Sequence, residues 1–155
     1  MKTIFNFQFS IFKKREGFTL IELLVVIAII GVLTALSLPN FVLSRQRARD
    51  AQRKSDIRQV QKALELYKQD QSPITYPSNA AWAALTCSST WTASNNTYMT
   101  KFPCDPLTAT KYTYTLNPSD STKYTLYACL ENASDTDSTA QGACTSGKMY
   151  QVTEP

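Results

Sequence analysis

The chain has 155 residues, which suffices for one globular unit but not for a second enzyme-sized domain. It contains no histidine, so Ser-His-Asp and Cys-His catalysis, histidine-ligated metals and histidine pH switches are excluded. Its net charge of +4 is unevenly distributed: +3 in residues 1–17, −1 in 18–39, +4 in 40–70 and −2 in 71–155. The basic character therefore belongs to the first 70 residues, and the remainder is mildly acidic.

An apolar segment, residues 18–38, follows the basic N-terminus and contains one charged residue, Glu22. As a helix rising 1.5 Å per residue it spans roughly 32 Å, about the thickness of the hydrocarbon core of a bilayer. It is longer than the roughly 7 to 15 apolar residues typical of a secretory signal. The sequence therefore predicts one membrane-spanning helix, with signal-peptidase cleavage after Ala35-Leu36-Ser37 as the alternative.

The start of the apolar segment carries a specific motif: Lys13-Lys14-Arg15-Glu16-Gly17-Phe18-Thr19-Leu20-Ile21-Glu22, continued by Leu23-Leu24-Val25-Val26-Ile27-Ala28-Ile29-Ile30-Gly31-Val32-Leu33. It closely resembles the prepilin processing signal of type IV pilins and type II secretion pseudopilins. The resemblance implies that a prepilin peptidase cleaves between Gly17 and Phe18 and that the new Phe18 amine is methylated. Removal of 17 residues from 155 leaves a mature chain of 138. The resemblance also implies an assembly ATPase, an inner-membrane platform protein and other pilin-like subunits as partners.

Glu22 is the residue of this motif that requires an explanation. An ionised carboxylate within a membrane helix costs on the order of 3 kcal/mol on insertion scales, although a polar residue near the helix end is tolerated more easily. Cleavage creates an α-amine at Phe18, one helical turn away and largely cationic at neutral pH. The resemblance implies that Glu22 pairs with the Phe18 amine of a neighbouring subunit, which in a low-dielectric filament core selects the helix register.

A continuous helix is predicted from Phe18 to about Asp70. Pro39 ends the apolar segment and predicts a kink there, because proline removes an amide donor and clashes with the preceding turn. Residues 40–70, here called the stem, contain neither glycine nor proline. Helical spacing relates four apolar positions of the stem, which predicts an amphipathic helix that covers the rest of the protein. These positions are Ile57, Val60, Leu64 and Tyr67.

The stem also contains a run of six basic residues: Arg45, Arg47, Arg49, Arg53, Lys54 and Arg58. One interpretation is DNA binding, as in a DNA-uptake filament, with strongly salt-dependent affinity. The favoured interpretation is a solvated or subunit-facing surface just above anionic lipid headgroups. Within the run, Asp50 and Lys54 are predicted to form an ion pair one helical turn apart.

Residues 71–155, here called the head, contain four cysteines: Cys87, Cys104, Cys129 and Cys144. Because they lack C-x-x-C spacing and the chain lacks histidine, disulfides in an oxidising compartment are favoured over zinc. Of the three pairings that four cysteines allow, we predict Cys87 with Cys104 and Cys129 with Cys144. Each would close a loop of about 15 residues, worth roughly 3 kcal/mol in the chain-entropy model.

Alternation of apolar and polar residues predicts two strands, Lys111–Leu116 and Lys123–Leu130, which form an antiparallel hairpin. A third short strand is predicted at Lys148–Thr153 and a short helix at Asn79–Leu85. A helix followed by strands indicates the α+β class, here a long N-terminal helix packed on a small, disulfide-stapled antiparallel sheet. The segment Phe102–Pro106 and the hairpin after it resemble the corresponding region of major pseudopilins.

Two features of the head invite functional interpretations. Major pseudopilins often have a Gly/Asp-rich calcium loop after this hairpin, and here Glu131, Asp135 and Asp137 offer oxygen ligands without EF-hand spacing. A plain acidic loop fixed by the Cys129–Cys144 disulfide is favoured over calcium, and no other cofactor is expected. Three aromatic residues lie in or beside the polar stretch 88–100. We interpret them as core residues, in preference to a carbohydrate-binding surface. They are Trp82, Trp91 and Tyr98.

The predicted organisation is a cleaved leader at 1–17, a membrane and filament-core helix at 18–39, the stem and the head. The predicted function is a structural subunit of a type IV pilus or a type II secretion pseudopilus-like filament. An enzyme is not expected, because the chain has no spacing that singles out an acid/base pair and no nucleotide-binding G-x-x-x-x-G-K-[ST]. The predicted location is the bacterial inner membrane, in single-pass form, followed by an extracytoplasmic filament. The alternative function is a filament-tip or membrane-anchored binding module, either an adhesin or a DNA-uptake receptor.

Overall fold

The computed structural model describes residues 17–138, 144–145 and 147–155, and the chain divides into two compact units, Met1–Pro39 and Asn40–Pro155. One long helix, α1, covers Leu20–Gln69 and contributes to both units. Its bounds lie within two residues of those predicted. Residues 1–16 of the leader lie outside the described residues, as does the side chain of Pro39. The kink expected at Pro39 therefore stays a prediction.

The apolar half of α1 satisfies its polar side chains within the helix. The hydroxyls of Thr34 and Ser37 donate to the carbonyl oxygens of Ile30 and Leu33, one turn earlier, at 2.7 and 3.0 Å. These bonds leave no hydroxyl in need of an outside partner. In the part of the chain that the structure describes, α1 is the one helix long and apolar enough, by length and composition, to cross a membrane.

The stem half of α1 buries one face in the core of the head. The buried apolar positions are Ile57, Val60, Ala63 and Leu64, and Tyr67 packs against them while partly exposed. Because three- and four-residue steps place side chains on one side of a helix, these residues form a single stripe. The predicted apolar stripe of the stem is confirmed.

In its described residues, the head contains one short helix and five strands: α2 Asn79–Ala84, β1 Trp91–Ala93, β2 Asn96–Met99, β3 Thr113–Leu116, β4 Tyr124–Cys129 and β5 Met149–Thr153. β1 and β2 form an antiparallel pair, and β3, β4 and β5 form a three-stranded antiparallel sheet in that order. α2 begins after Ser78, whose side chain accepts a hydrogen bond from the amide of Ala81. The predicted hairpin, third strand and short helix are confirmed.

The β1–β2 hairpin was not predicted. Its two-residue turn, Ser94-Asn95, has φ angles of 50° and 67°. Turns with two positive φ angles suit the twist of a hairpin, but their usual sequence signal is a glycine, which is missing here. The strands instead insert Trp91 and Tyr98 into the core, where 3% and 8% of their surfaces remain exposed.

The core between the stem and the sheets is rich in aromatic residues. Trp82 stacks on Tyr114 with 4.5 Å between ring centroids, and Tyr114 stacks on Tyr124 at 5.7 Å. Alternate residues of β4 are buried, as expected for a strand with one face on a core: Tyr124, Leu126 and Ala128. The fold is α+β, a long N-terminal helix packed on small antiparallel sheets, as predicted.

Two disulfides join Cys87 to Cys104 and Cys129 to Cys144, across 17 and 15 residues of sequence. The structure therefore has the predicted pairing. The first disulfide encloses the β1–β2 hairpin, and the second connects the end of β4 to the segment before β5.

Candidate functional site

Glu22 caps the first turn of α1. Its Oε2 accepts hydrogen bonds from the backbone nitrogen and the hydroxyl of Thr19, at 2.8 and 2.7 Å. The Glu22 amide donates back to the Thr19 hydroxyl at 3.3 Å. This reciprocal arrangement is a capping box, which satisfies amide groups that the start of a helix leaves free. In the single chain, Glu22 is therefore engaged with the N-terminus of its own helix.

The apolar half of α1 exposes its side chains around the whole helix. The exposed fraction reaches 81% for Leu20, and Phe18, just before the helix, is 91% exposed. The other large apolar side chains that are exposed in this half are Ile21, Leu23, Leu24, Val25, Val26, Ile27, Ile29, Ile30, Val32, Leu33, Leu36 and Leu38. A contiguous apolar surface of this kind marks a contact with membrane or with other proteins.

Gly17 and Phe18 lie immediately before α1 and are exposed. A Cβ placed on Gly17 would have no heavy atom within 4 Å, so packing does not require glycine there. An exposed bond in a non-helical segment is accessible to a peptidase. Cleavage at this bond and methylation of Phe18 stay predictions, with geometry that permits both.

Arg53 is the centre of an ion-pair cluster that joins the stem to the head. Its side chain is buried, with 3% of its surface exposed. Three carboxylates pair with its guanidinium: Asp50 at 2.8 Å, Asp105 at 2.6 Å and Glu131 at 2.7 Å. Asp105 directly follows Cys104, and Glu131 lies two residues after Cys129. The buried cation thus links the stem to both disulfide-stapled regions of the head.

Two further contacts complete the cluster. Arg49, one turn before Arg53, donates two hydrogen bonds to Glu131 at 2.8 and 2.5 Å. Asp50, with 1% of its surface exposed, accepts hydrogen bonds from the backbone amides of Glu131 and Asn132. Every buried charge of the cluster therefore faces an opposite charge or a donor, which is the condition for burying an ion pair without a large penalty.

These contacts shift the pKa values of the head carboxylates. Burial opposes ionisation of Asp105, but hydrogen bonds from Arg53 and from the amides of Thr108 and Leu107 outweigh it and lower the pKa to about 2. For Glu131, hydrogen bonds from Arg49 and then Arg53 outweigh burial and also lower the pKa to about 2. Both carboxylates are ionised at neutral pH, and the cluster requires their charge.

Lys54 pairs with the acidic loop of the head, contacting Asp135 at 2.7 Å and Asp137 at 2.9 Å. The predicted ion pair between Asp50 and Lys54 is therefore wrong. The reason is tertiary: Arg53 and two backbone amides satisfy Asp50 in the interior, while the head supplies carboxylates for Lys54.

The three residues considered for calcium thus face cations of the stem. Glu131 contacts Arg49 and Arg53, and Asp135 and Asp137 contact Lys54. Among the described residues, no group of three or more acidic, cysteine or histidine side chains is arranged to hold a metal ion. Calcium binding at these positions would require the ion pairs to break.

The basic run is divided between internal and exposed positions. Arg49, Arg53 and Lys54 pair with the head, so the favoured interpretation of a solvated or subunit-facing surface is wrong for these three. Arg45 lies over the Phe41 ring at 4.4 Å, and Arg58 donates to the Tyr150 hydroxyl at 3.0 Å. Arg47 is exposed. The surface left for DNA phosphates is smaller than the sequence indicates, and DNA binding stays a prediction.

The aromatic residues near the polar stretch belong to the core. Trp82 is 6% exposed, and its ring lies edge-on to Phe102 at 5.2 Å. Trp91 and Tyr98 are also buried, and their rings contact the ring of Tyr67 in the stem. The core-packing interpretation is confirmed, because a carbohydrate-binding surface would require exposed rings.

Sequence reasoning missed the capping box and the Arg53 cluster, for different reasons. The Thr-x-x-Glu spacing of Thr19 and Glu22 is a visible signal for a capping box. No local signal reveals the Arg53 cluster, because its partners Asp105 and Glu131 lie 52 and 78 residues away in sequence.

Comparisons with known proteins place the chain in a family. The prokaryotic N-terminal methylation motif matches residues 12–38, and type II secretion system protein G matches residues 40–143, more than half of the chain. The chain belongs to the type II secretion system protein G family. This is a family of structural pilin-like proteins, which agrees with the resemblance found in the sequence.

Two of the following relatives carry the name of this family, and the third is a type IV pilus component. The type II secretion system core protein G of Pseudomonas aeruginosa is 33% identical over 137 residues, which cover 81% of this chain and 92% of that protein. The Escherichia coli core protein G is 46% identical over 57 residues, 37% of this chain and 39% of its own length. The type IV wide pilus major component PilA4 of Thermus thermophilus is 42% identical over 69 residues, 44% of this chain and 51% of its own. The chain thus spans about two fifths of the length of the E. coli relative. No solved structure matches this chain.

Proposed function

We propose that this member of the protein G family is a structural subunit that polymerises into a type II secretion pseudopilus-like filament. The observation that carries the proposal is the apolar half of α1, which is exposed on all sides and has Glu22 in its first turn, four residues after the accessible Gly17–Phe18 bond. A helix of this kind needs partners around it, first lipid and then other helices. The match of residues 40–143 to protein G supports a pseudopilus over a surface pilus.

The route to the filament follows from the same residues. A prepilin peptidase cleaves the bond before Phe18, and the new α-amine of Phe18 is then methylated. The apolar segment anchors the protein in the inner membrane, with the disulfide-bonded head on the oxidising side. Assembly then moves Glu22 from its own capping box to the Phe18 amine of a neighbouring subunit. A separate ATPase and an inner-membrane platform protein drive polymerisation, and other pilin-like subunits share the filament.

Intact-mass and N-terminal peptide analysis tests the processing step. The protein is recovered from membranes and from sheared surface material of cells with and without the prepilin peptidase. We expect a chain of 138 residues that begins at methylated Phe18, and a full-length chain when the peptidase is absent. A chain that begins at Leu38, or that keeps Met1 beside an active peptidase, would contradict the proposal.

The same fractions separate the kinds of filament. Recovery in the membrane fraction, crosslinked into multimers, is expected for a short pseudopilus. Abundant protein in sheared material would instead indicate a type IV pilus. Substoichiometric recovery at filament ends would indicate the alternative, a tip-located binding module.

A further inference from the structure

Asp56 is a buried carboxylate that forms no ion pair in the described part of the chain. It lies on α1 with 8% of its surface exposed. One of its oxygens accepts a hydrogen bond from the Tyr112 hydroxyl at 2.7 Å, and none of its described neighbours forms an ion pair with it. The other two buried charged residues, Asp50 and Arg53, pair with each other. A carboxylate removed from water without a cation is unfavourable, so Asp56 is an exception within this head.

A cavity of about 470 Å³ has Asp56 in its wall. On the stem side, Gln52 and Gln59 flank Asp56 and are exposed, which places the opening at the surface. The opposite wall consists of residues 99–105 and the Cys87–Cys104 disulfide. Its partly exposed apolar residues are Met99 and Pro103. The volume lies within the roughly 300 to 1,000 Å³ of typical ligand pockets.

The charges around the cavity favour a cationic occupant. Burial raises the pKa of Asp56, the Tyr112 hydrogen bond acts in the opposite direction, and nearby Asp105 adds to the increase. Arg53 pairs with its own three carboxylates and not with Asp56. Lys101 lines the cavity but forms no ion pair with Asp56 in the described part of the chain. A cation brought into the cavity would therefore compensate a charge that the single chain leaves uncompensated.

We propose that the Asp56 cavity receives an arginine or lysine side chain from a second copy of this chain. The inference rests on the proposed filament function. A long cationic side chain matches the cavity because its aliphatic part can pack on Met99 and Pro103 while its charged end reaches Asp56 and the glutamine carbonyl oxygens. The chain also offers suitable donors: Arg47 and Lys62 are exposed and have no carboxylate partner among the described residues. Complementary unpaired charges on one chain fit a contact between identical subunits.

Asp56→Asn in the full-length chain tests the proposal in cells that lack the wild-type copy. Asparagine keeps the size of the side chain and an acceptor for Tyr112 but removes the charge. We expect normal processing and an unchanged melting transition of the head, with filament yield reduced about tenfold or more. The matched control, Lys101→Gln, is expected to assemble at the wild-type level. An equal loss in Lys101→Gln would overturn the proposal, because Lys101 lines the cavity and would then be the partner within the same chain.

A second measurement does not depend on the stability of the Asp56 variant. A photocrosslinking amino acid at Gln59, on the rim of the cavity, is activated in assembled wild-type filaments and the crosslinked peptides are identified by mass spectrometry. Peptides of another subunit that contain Arg47 or Lys62 are expected. Crosslinks that contain neither residue, or filaments of Asp56→Asn at wild-type yield, would overturn the inference while the filament function stands. Absence of the wild-type chain from any filament would overturn both.

Discussion

Between residues 20 and 38, α1 exposes its large apolar side chains and carries a single charge, whereas in the stem the same helix buries an apolar stripe and pairs three cations with the head. The difference shows where each part finds its partners. The stem and head satisfy their buried charges internally, with Asp56 as the exception. Among the described residues, nothing covers the apolar half, so lipid or other subunits must supply its partners. Substitutions in the two parts should therefore fail in different assays.

The largest expected effect comes from Glu22→Gln, which should abolish filament formation without changing the melting temperature of the head. The charge is lost where a neighbouring Phe18 amine requires it, but no contact of the head is altered. Filament yield from sheared and crosslinked membranes measures assembly, and tryptophan fluorescence follows only the head, which contains both tryptophans.

Thr19→Ala is the matched control for Glu22→Gln. It removes the hydroxyl that bonds to Glu22 but keeps the carboxylate. Loss of a capping side chain costs about 0.5 to 2 kcal/mol of local helix stability. Assembly of this variant should persist. Equal loss in both variants would mean that Glu22 acts through the capping box alone.

Arg53→Met should produce the largest effect on the stability of the head. It leaves the buried Asp50 and the largely buried Asp105 and Glu131 without their shared cation, which costs about 3 to 5 kcal/mol. Thermal unfolding of the full chain in detergent, followed by tryptophan fluorescence, measures the change. The control is Arg47→Met, which lies on the same helix, is exposed and should change stability by less than about 0.5 kcal/mol. Equal effects would show that the cluster contributes nothing beyond surface charge.

Removing a disulfide should have the next largest effect. Replacing Cys129 and Cys144 by serine opens a loop across 15 residues, worth roughly 3 kcal/mol in the chain-entropy model. The pair Cys87 and Cys104 encloses a loop of similar length and should give a similar loss. A melting temperature that does not change after reduction of the wild-type protein would contradict this account and the idea that the second disulfide fixes the acidic loop.

The sequence alone predicts the features that depend on neighbouring residues. Length and charge reveal the apolar segment, alternation reveals β3, β4 and β5, and the short spacing between cysteines suggests their pairing. The sequence does not predict the β1–β2 hairpin, because its turn, Ser94-Asn95, adopts positive φ angles without glycine. The sequence does not predict the Arg53 cluster either, because folding, rather than sequence proximity, brings Asp105 and Glu131 to the stem. Once these carboxylates arrive, they override the local rule that pairs Asp50 with Lys54.

Acid should weaken the same cluster gradually. The pKa values of Asp105 and Glu131 are lowered from 3.8 and 4.5 to about 2 in the folded chain. A carboxylate whose pKa is lowered by folding stabilises the protein at pH values above its unfolded-state pKa. This stabilisation is lost as the pH falls through the folded-state pKa. The head should therefore keep its melting temperature above about pH 5 and lose stability between about pH 4 and pH 2. In Arg53→Met this acid-dependent loss should become much smaller, and an unchanged profile would exclude the cluster as its origin.

The smallest effect is expected from Lys54→Gln, which separates the acidic loop from the stem. Lys54 and Asp135 are about 15% exposed, but Asp137 is 62% exposed, so solvent screens part of the interaction. The loss of stability should be about 1 kcal/mol. The variant also tests what the ammonium group does. In the wild-type protein Lys54 occupies the loop carboxylates, so millimolar calcium should leave the melting temperature unchanged. If calcium raises it in Lys54→Gln but not in the wild type, the lysine holds a position that a metal ion would otherwise fill. If calcium stabilises both equally, the loop binds the ion despite the ion pairs, and the internal pairing of stem and head is weaker than the geometry indicates.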